Sequence, residues 1–226
     1  MKKVLILALA VVMVVSFASA QDVVPGVKAG SKSLNFTFGG LGAFGLFATG
    51  PNGGIGVSYF LNSDAALRLG LQVQSTSRTL AANPPAGQSG TDGTNSSFGL
   101  GIGADYLMYM NAGRVRPYWG GGVQFLMNSN DYKQPVNGGG SQDENKNNPA
   151  SGPTGVTFQL AGFLGAEFFI YPELSVSAEY QLNIVNINAP ADNVVTAGGT
   201  SATYKVGGTT NILGFGAAGA TLHIYF

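Results

Sequence analysis

Residues 210–226 read TNILGFGAAGATLHIYF. In the second half of this stretch Ala218, Ala220, Leu222, Ile224 and Phe226 fall on one face. Gly219, Thr221, His223 and Tyr225 fall on the other. A period of two is the signature of an extended strand. The apolar face continues to the last aromatic residue. That pattern fits a closed barrel in a membrane, whose last strand pairs with its first and shows lipid an apolar side.

The same alternation recurs upstream. Residues 33–41 set Leu34, Phe36 and Phe38 against Asn35 and Thr37, and this strand can run on to residue 47. Residues 55–61 carry Ile55, Val57, Tyr59 and Leu61 on one face. Residues 65–79 set Leu67, Leu69, Leu71 and Val73 against Arg68, Gly70, Gln72 and Gln74. Residues 96–110 set Phe98, Leu100, Ile102, Ala104, Tyr106 and Met108 against Gly99, Gly101, Gly103 and Asp105. Residues 117–128 turn Trp119, Val123, Phe125 and Met127 outward, and residues 155–170 do the same with Val156, Phe158, Leu160, Leu164, Phe168 and Ile170. In residues 174–187 the apolar face is Leu174, Val176, Ala178, Tyr180, Leu182 and Ile184. With the last strand the count is eight.

The connections alternate in length. Short turns are expected at residues 62–64, 111–116 and 171–173, and a turn rich in Pro, Asn and Gly at residues 48–54 (ATGPNGG). Long loops are expected at residues 80–95, 129–154 and 188–208. The second of these, with NDYKQPVNGGGSQDENKNNPASGPT at its centre, reads as disordered when taken alone. Short turns on one side and long loops on the other are the asymmetry of a transmembrane barrel. Strand ends on the short-turn side carry Tyr59, Tyr106, Tyr109, Tyr118, Trp119, Phe169, Tyr171, Tyr225 and Phe226, which read as an interfacial aromatic girdle.

Composition agrees. Charged residues make up 10% of the chain, against about 25% in ordinary soluble domains. There are 35 Gly and no Cys, so neither a disulfide framework nor thiolate chemistry is expected. The opening MKKVLILALAVVMVVSFASA has a basic start at Lys2 and Lys3, an apolar run over residues 4–15 and the small-x-small site Ala18-Ser19-Ala20. It reads as a signal peptide, residues 1–20, since the apolar run falls short of the ~20 residues that span a bilayer. Residues 21–226 then form one barrel domain. Without Lys2 and Lys3, 9 of the 11 basic residues stand against 11 acidic ones, and no nucleic-acid surface is expected.

The fold expected is therefore all-β: an eight-stranded antiparallel up-and-down transmembrane β-barrel. On these residues the chain resembles the small eight-stranded outer-membrane barrels of the OmpA/OmpX-like superfamily of Gram-negative bacteria. The stretch GGIGVSYFLNSDAALRLGLQVQ, residues 53–74, resembles their second hairpin. LHIYF, ending at Phe226, resembles the signal read by the barrel-assembly machinery. The resemblance implies an outer-membrane location, outer-membrane lipid and the assembly machinery as partners, and a monomer. It does not choose a role, since members serve as anchors, adhesins, defence proteins or lipid enzymes.

Chemical motifs are sparse. His223 is the single His, on the lumen face, and no ordered Ser–His–acid spacing surrounds it, so no catalytic residue is expected. No cofactor or metal site is expected: Asp143 and Glu144 sit among Asn residues in a loop, where a solvated loop is expected over a calcium site. Gly99, Gly101 and Gly103 form GxGxG with no helix after it and read as inward positions in a narrow lumen. Arg68, Asp105, Glu167 and Glu179 all fall opposite the apolar face, four to six residues from a short turn. They are expected to form one polar cluster across the lumen, because a charge on the lipid face would cost ~2–4 kcal/mol near the midplane. The role expected is structural or surface interaction through the loops, with an unidentified external ligand. A small passive channel, a lipid-modifying enzyme and a soluble lipocalin-type barrel are the alternatives.

Overall fold

The computed structural model describes residues 26–39, 54–110, 113–138, 140–148, 150 and 154–226. The signal peptide expected at residues 1–20 lies outside the described residues, as do all but Gly54 of the turn expected over residues 48–54 and residues 111–112 of the second turn.

Eight strands carry the fold: β1 (Lys32–Gly39), β2 (Gly54–Phe60), β3 (Ala65–Leu80), β4 (Gly93–Tyr109), β5 (Val115–Lys133), β6 (Gly155–Tyr171), β7 (Leu174–Ala189) and β8 (Thr209–Tyr225). Each pairs antiparallel with its sequence neighbours. β1 and β8 pair from Ser33↔Tyr225 to Gly39↔Gly219, which closes the ring. Closure matters because a strand edge facing lipid would leave its N–H and C=O groups without partners.

The period-two pattern then decides which side chains face which solvent. Leu69, Leu71, Val73, Ile102, Phe125 and Leu164 are all exposed on the outer wall, where hydrocarbon rather than water can receive them. The alternate positions point inward. In β7 the ladder to β6 steps from Asn183 to Val185 and leaves Ile184 as an extra residue. Ile184 is itself exposed on the outer wall, as alternation expects, and after this bulge Val185 and Ile187 continue the outward face.

Two expectations are corrected by the packing. Five of the nine residues read as the girdle do lie outside: Tyr59, Tyr106, Trp119, Tyr171 and Phe226 are exposed. The other four do not. Tyr109, Tyr118, Phe169 and Tyr225 are buried inside the barrel together with Phe60, which is 0% exposed. Phe60 meets Tyr109 at 5.4 Å between ring centroids and Tyr225 at 5.8 Å, and Tyr225 meets Phe169 at 5.4 Å. Position along a strand places a residue at the short-turn end, but parity decides whether it faces lipid or lumen. These rings form an aromatic floor to the lumen.

The second correction concerns the long loops. Strand β5 runs on to Lys133, and residues Glu144–Lys146 pair with its Tyr132 and Lys133. Residues Asn193–Ala197 pair with Glu144–Lys146 in turn, and with Thr200–Tyr204 as a hairpin. The stretch read as disordered is thus, in these residues, part of a sheet that continues β5 beyond the barrel. Its polar composition buries little apolar area by itself, but β5 offers it an edge to pair with. The hairpin turns at Gly198 and Gly199, with φ of 57° and 82°. Two successive positive φ angles are what a type I′ turn requires.

Candidate functional site

The inward faces of the strands stack layers of polar side chains from the aromatic floor upward. One layer centres on Arg68 of β3. Its Nε donates to Asp105 Oδ2 of the adjacent β4 at 2.8 Å. Its Nη1 donates to Glu179 Oε2 of β7 at 2.7 Å, and its Nη2 to Glu179 Oε1 at 3.1 Å. The guanidinium lies 5.1 Å from the centroid of the Phe163 ring. Tyr118 Oη also donates to Glu179 Oε2, at 3.0 Å. One cation thus holds two carboxylates, one of them bidentate, in a geometry only the guanidinium fork allows.

Glycine makes this layer possible. A Cβ on Gly122 would lie 2.0 Å from Asp105 Oδ1, and one on Gly165 would lie 2.5 Å from Tyr118 Cζ. Gly122 is the ladder partner of Asp105, and Gly165 that of Tyr118. The small residue on each neighbouring strand leaves space for the large inward one.

Glu167 is not part of this layer, contrary to the expected four-residue cluster. Its ladder partner in β7 is Ser177, whereas Glu179 pairs with Gly165. Glu167 therefore sits two residues, about 7 Å, closer to the short turns. Counting residues to the nearest turn treated the strands as level, and the stagger between neighbours sets them apart. There Glu167 is fully buried and accepts hydrogen bonds from Ser175 Oγ and Tyr225 Oη. Its other oxygen, Oε2, has no hydrogen-bond partner among the described residues. Arg116, read as part of a turn, is a buried β5 residue and the ladder partner of Glu167. It stacks 4.6 Å from the centroid of Tyr109 and donates to Ser63 O. Its even-numbered place, in step with inward Gly120 and Gly122, was the signal available for it.

Between these layers lies a neutral network. His223 Nε2 is 2.8 Å from Ser177 Oγ, and Nδ1 is 2.9 Å from Asn35 Oδ1. Asn35 Nδ2 donates to Ser58 Oγ at 2.7 Å, and Ser33 Oγ donates to Asn35 Oδ1 at 2.8 Å. The network crosses β7, β8, β1 and β2, so it stitches the seam where the ends of the chain meet. Ser177, His223 and Asn35 have the connectivity of a Ser–His–amide relay, brought together by the ring and not by spacing in sequence. All three are buried.

In the outer sheet, Asp143 Oδ1 accepts from Gly198 N at 3.2 Å and Glu144 lies 3.5 Å from Lys133 Nζ. Among the described residues no group of three or more His, Cys, Asp or Glu is arranged to hold a metal ion.

A closed antiparallel ring of eight strands, apolar outside and polar inside, defines a transmembrane β-barrel of the outer-membrane type. Residues 4–218 match the family described as outer membrane protein beta-barrel domain, and the chain belongs to that family. A search of curated proteins found no match.

Proposed function

We propose that this outer-membrane barrel is a structural and surface-interaction protein, with its lumen plugged by its own side chains and its working surface formed by the sheet and loops beyond the long-loop end. The observation that carries this reading is the pair of bridges from Arg68 to Asp105 and Glu179. The bridge to Glu179 joins opposite walls of the lumen, the one to Asp105 ties neighbouring strands, and both lie above a floor of packed rings. A passive channel would require that span to open. A lipid-modifying enzyme would require Ser177 to meet an acyl chain, and its side chain is enclosed with His223 behind the wall. Outer-membrane lipid, the barrel-assembly machinery and an external ligand are the partners this role implies, and no cofactor enters it.

The test is topological and chemical together. An epitope inserted at Gly140 is expected to be reached by antibody on intact cells, and a fluorophosphonate probe is expected to leave Ser177 unlabelled. An epitope reached only after the outer membrane is permeabilised, or labelling that His223→Ala removes, would overturn the reading.

A further inference from the structure

The hairpin of Asn193–Ala197 and Thr200–Tyr204 has one side paired and one side open. Asn193–Ala197 lies between Glu144–Lys146 and Thr200–Tyr204, and Thr200–Tyr204 carries no second ladder among the described residues. All five residues of Thr200–Tyr204 are exposed. The turn at Gly198 and Gly199 sets which backbone groups face which way. Ala197 and Thr200 flank a two-residue loop, so they exchange both backbone bonds, and bonded and non-bonded pairs then alternate along the ladder. Thr200, Ala202 and Tyr204 therefore bond back to Asn193–Ala197. The N–H and C=O groups of Ser201 and Thr203 point to the open edge.

Exposed edges in folded proteins are usually guarded by charge, Pro or a bulge. Thr200–Tyr204 reads TSATY and pairs in unbroken register, so it has none of these. The Lys that follows it reaches back to its own hairpin: Lys205 Nζ donates to Asp192 Oδ2 at 2.6 Å. The edge is also complementary to itself. Laid antiparallel on a second copy about Ala202, Ser201 and Thr203 of one chain meet Thr203 and Ser201 of the other. Their free N–H and C=O groups then form backbone hydrogen bonds in both directions. Ala202 meets Ala202 at the close, non-bonded position, where Cα atoms stand about 4.5 Å apart and a small side chain fits. Thr200 meets Tyr204, a β-branched to aromatic pair, and the Ser201 to Thr203 pairs set hydroxyl beside hydroxyl.

We propose that Thr200–Tyr204 is a self-recognition strand, through which two copies of this chain pair antiparallel about a two-fold axis at Ala202. The contact is isologous and closes on itself. A peptide of another sequence would meet the same backbone groups but not the matched side chains. Five residues a side fall below the size of a permanent dimer, so monomer and dimer exchange. The inference rests on the surface role for where this strand works. Pairing in micelles does not depend on topology in the cell, so the two can fail separately.

The experiment is disulfide trapping of the refolded full-length barrel in detergent micelles. The chain has no Cys, so a single introduced cysteine reports one position. Under a mild oxidant, Ala202→Cys is expected to give a linked dimer on a non-reducing gel, since a Cα separation of about 4.5 Å lies within disulfide reach. Ser201→Cys should stay monomeric, because the two copies of residue 201 sit diagonally, roughly 8 Å apart. Adding Thr203→Pro to Ala202→Cys removes an outward N–H that the hairpin itself does not use. It should cut the linked dimer by about tenfold, as for loss of a backbone hydrogen bond at each of two symmetric places, while heat-modifiable migration is kept. No linked dimer from Ala202→Cys, equal linking by Ser201→Cys, or a dimer undiminished by Thr203→Pro would overturn the proposal.

Discussion

Arg68 and Glu179 stand on strands β3 and β7, which lie opposite each other in the ring of eight, and Nη1 reaches Oε2 across the lumen at 2.7 Å. With the Nε contact to Asp105, Arg68 ties two walls and two carboxylates together. The side chains are only 12% and 16% exposed, so bulk water screens the pair weakly.

Arg68→Ala should therefore destabilise the barrel by about 3 kcal/mol, the range found when one partner of a buried ion pair is removed. The cost comes from two carboxylates left facing each other in the lumen. Urea unfolding in lipid vesicles checks it. A midpoint and slope equal to those of the parent would show that the bridge carries no stability.

Glycine placement gives a contrast within one molecule. Gly122→Ala would put a Cβ 2.0 Å from Asp105 Oδ1 and 2.6 Å from Ala104 O, the latter backbone that cannot step aside. A loss of about 1–3 kcal/mol is expected, as for overpacking elsewhere. Gly70→Ala meets nothing within 4 Å and should stay within about 0.5 kcal/mol of the parent. Similar unfolding curves for the two variants would contradict the assigned roles.

The barrel framework was legible in the sequence because it rests on one period. Parity alone placed Leu69 and Ile102 outside and Arg68 and Asp105 inside. It also bore on Tyr109, Tyr118, Phe169 and Tyr225, which are inward by alternation, yet end position led them to be grouped with the girdle. Glu167 was misplaced for another reason: ladder stagger is set by pairing between strands, and no local pattern states it. The Ser177–His223–Asn35 contact was illegible for the same cause, since it depends on β1 and β8 meeting. The hairpin at Gly198 and Gly199 did leave a local signal, two turn-forming glycines between Val194-Val195-Thr196 and Thr200-Ser201-Ala202.

Deleting residues 138–148 removes the Glu144–Lys146 strand but no ladder of the ring. The barrel should keep heat-modifiable migration, because loop-closure cost changes slowly with length. The hairpin Asn193–Ala197 with Thr200–Tyr204 loses its partner and should become the first site of protease cleavage. Loss of heat modifiability would show that the outer sheet supports the ring. An unchanged cleavage pattern would show that the hairpin stands alone.

Phe226 N donates to Lys32 O at 3.0 Å, and Lys32 N donates to Phe226 O at 3.3 Å. These bonds extend the β1–β8 seam by one rung, and the ring of Phe226 projects outward. Deleting Phe226 should lower the amount of folded barrel reaching the outer membrane, measured by fractionation and heat-modifiable migration. Normal amounts of folded protein would remove the basis for reading this residue as an assembly signal.

Side chains closing the lumen are the centre of this account, and single-channel recording from the wild-type protein in planar bilayers tests it most directly. With Arg68, Asp105 and Glu179 bridged above the rings of Phe60, Tyr109, Phe169 and Tyr225, a quiet baseline with no steady open level is expected. Steady, large single-channel currents from the wild type would contradict it.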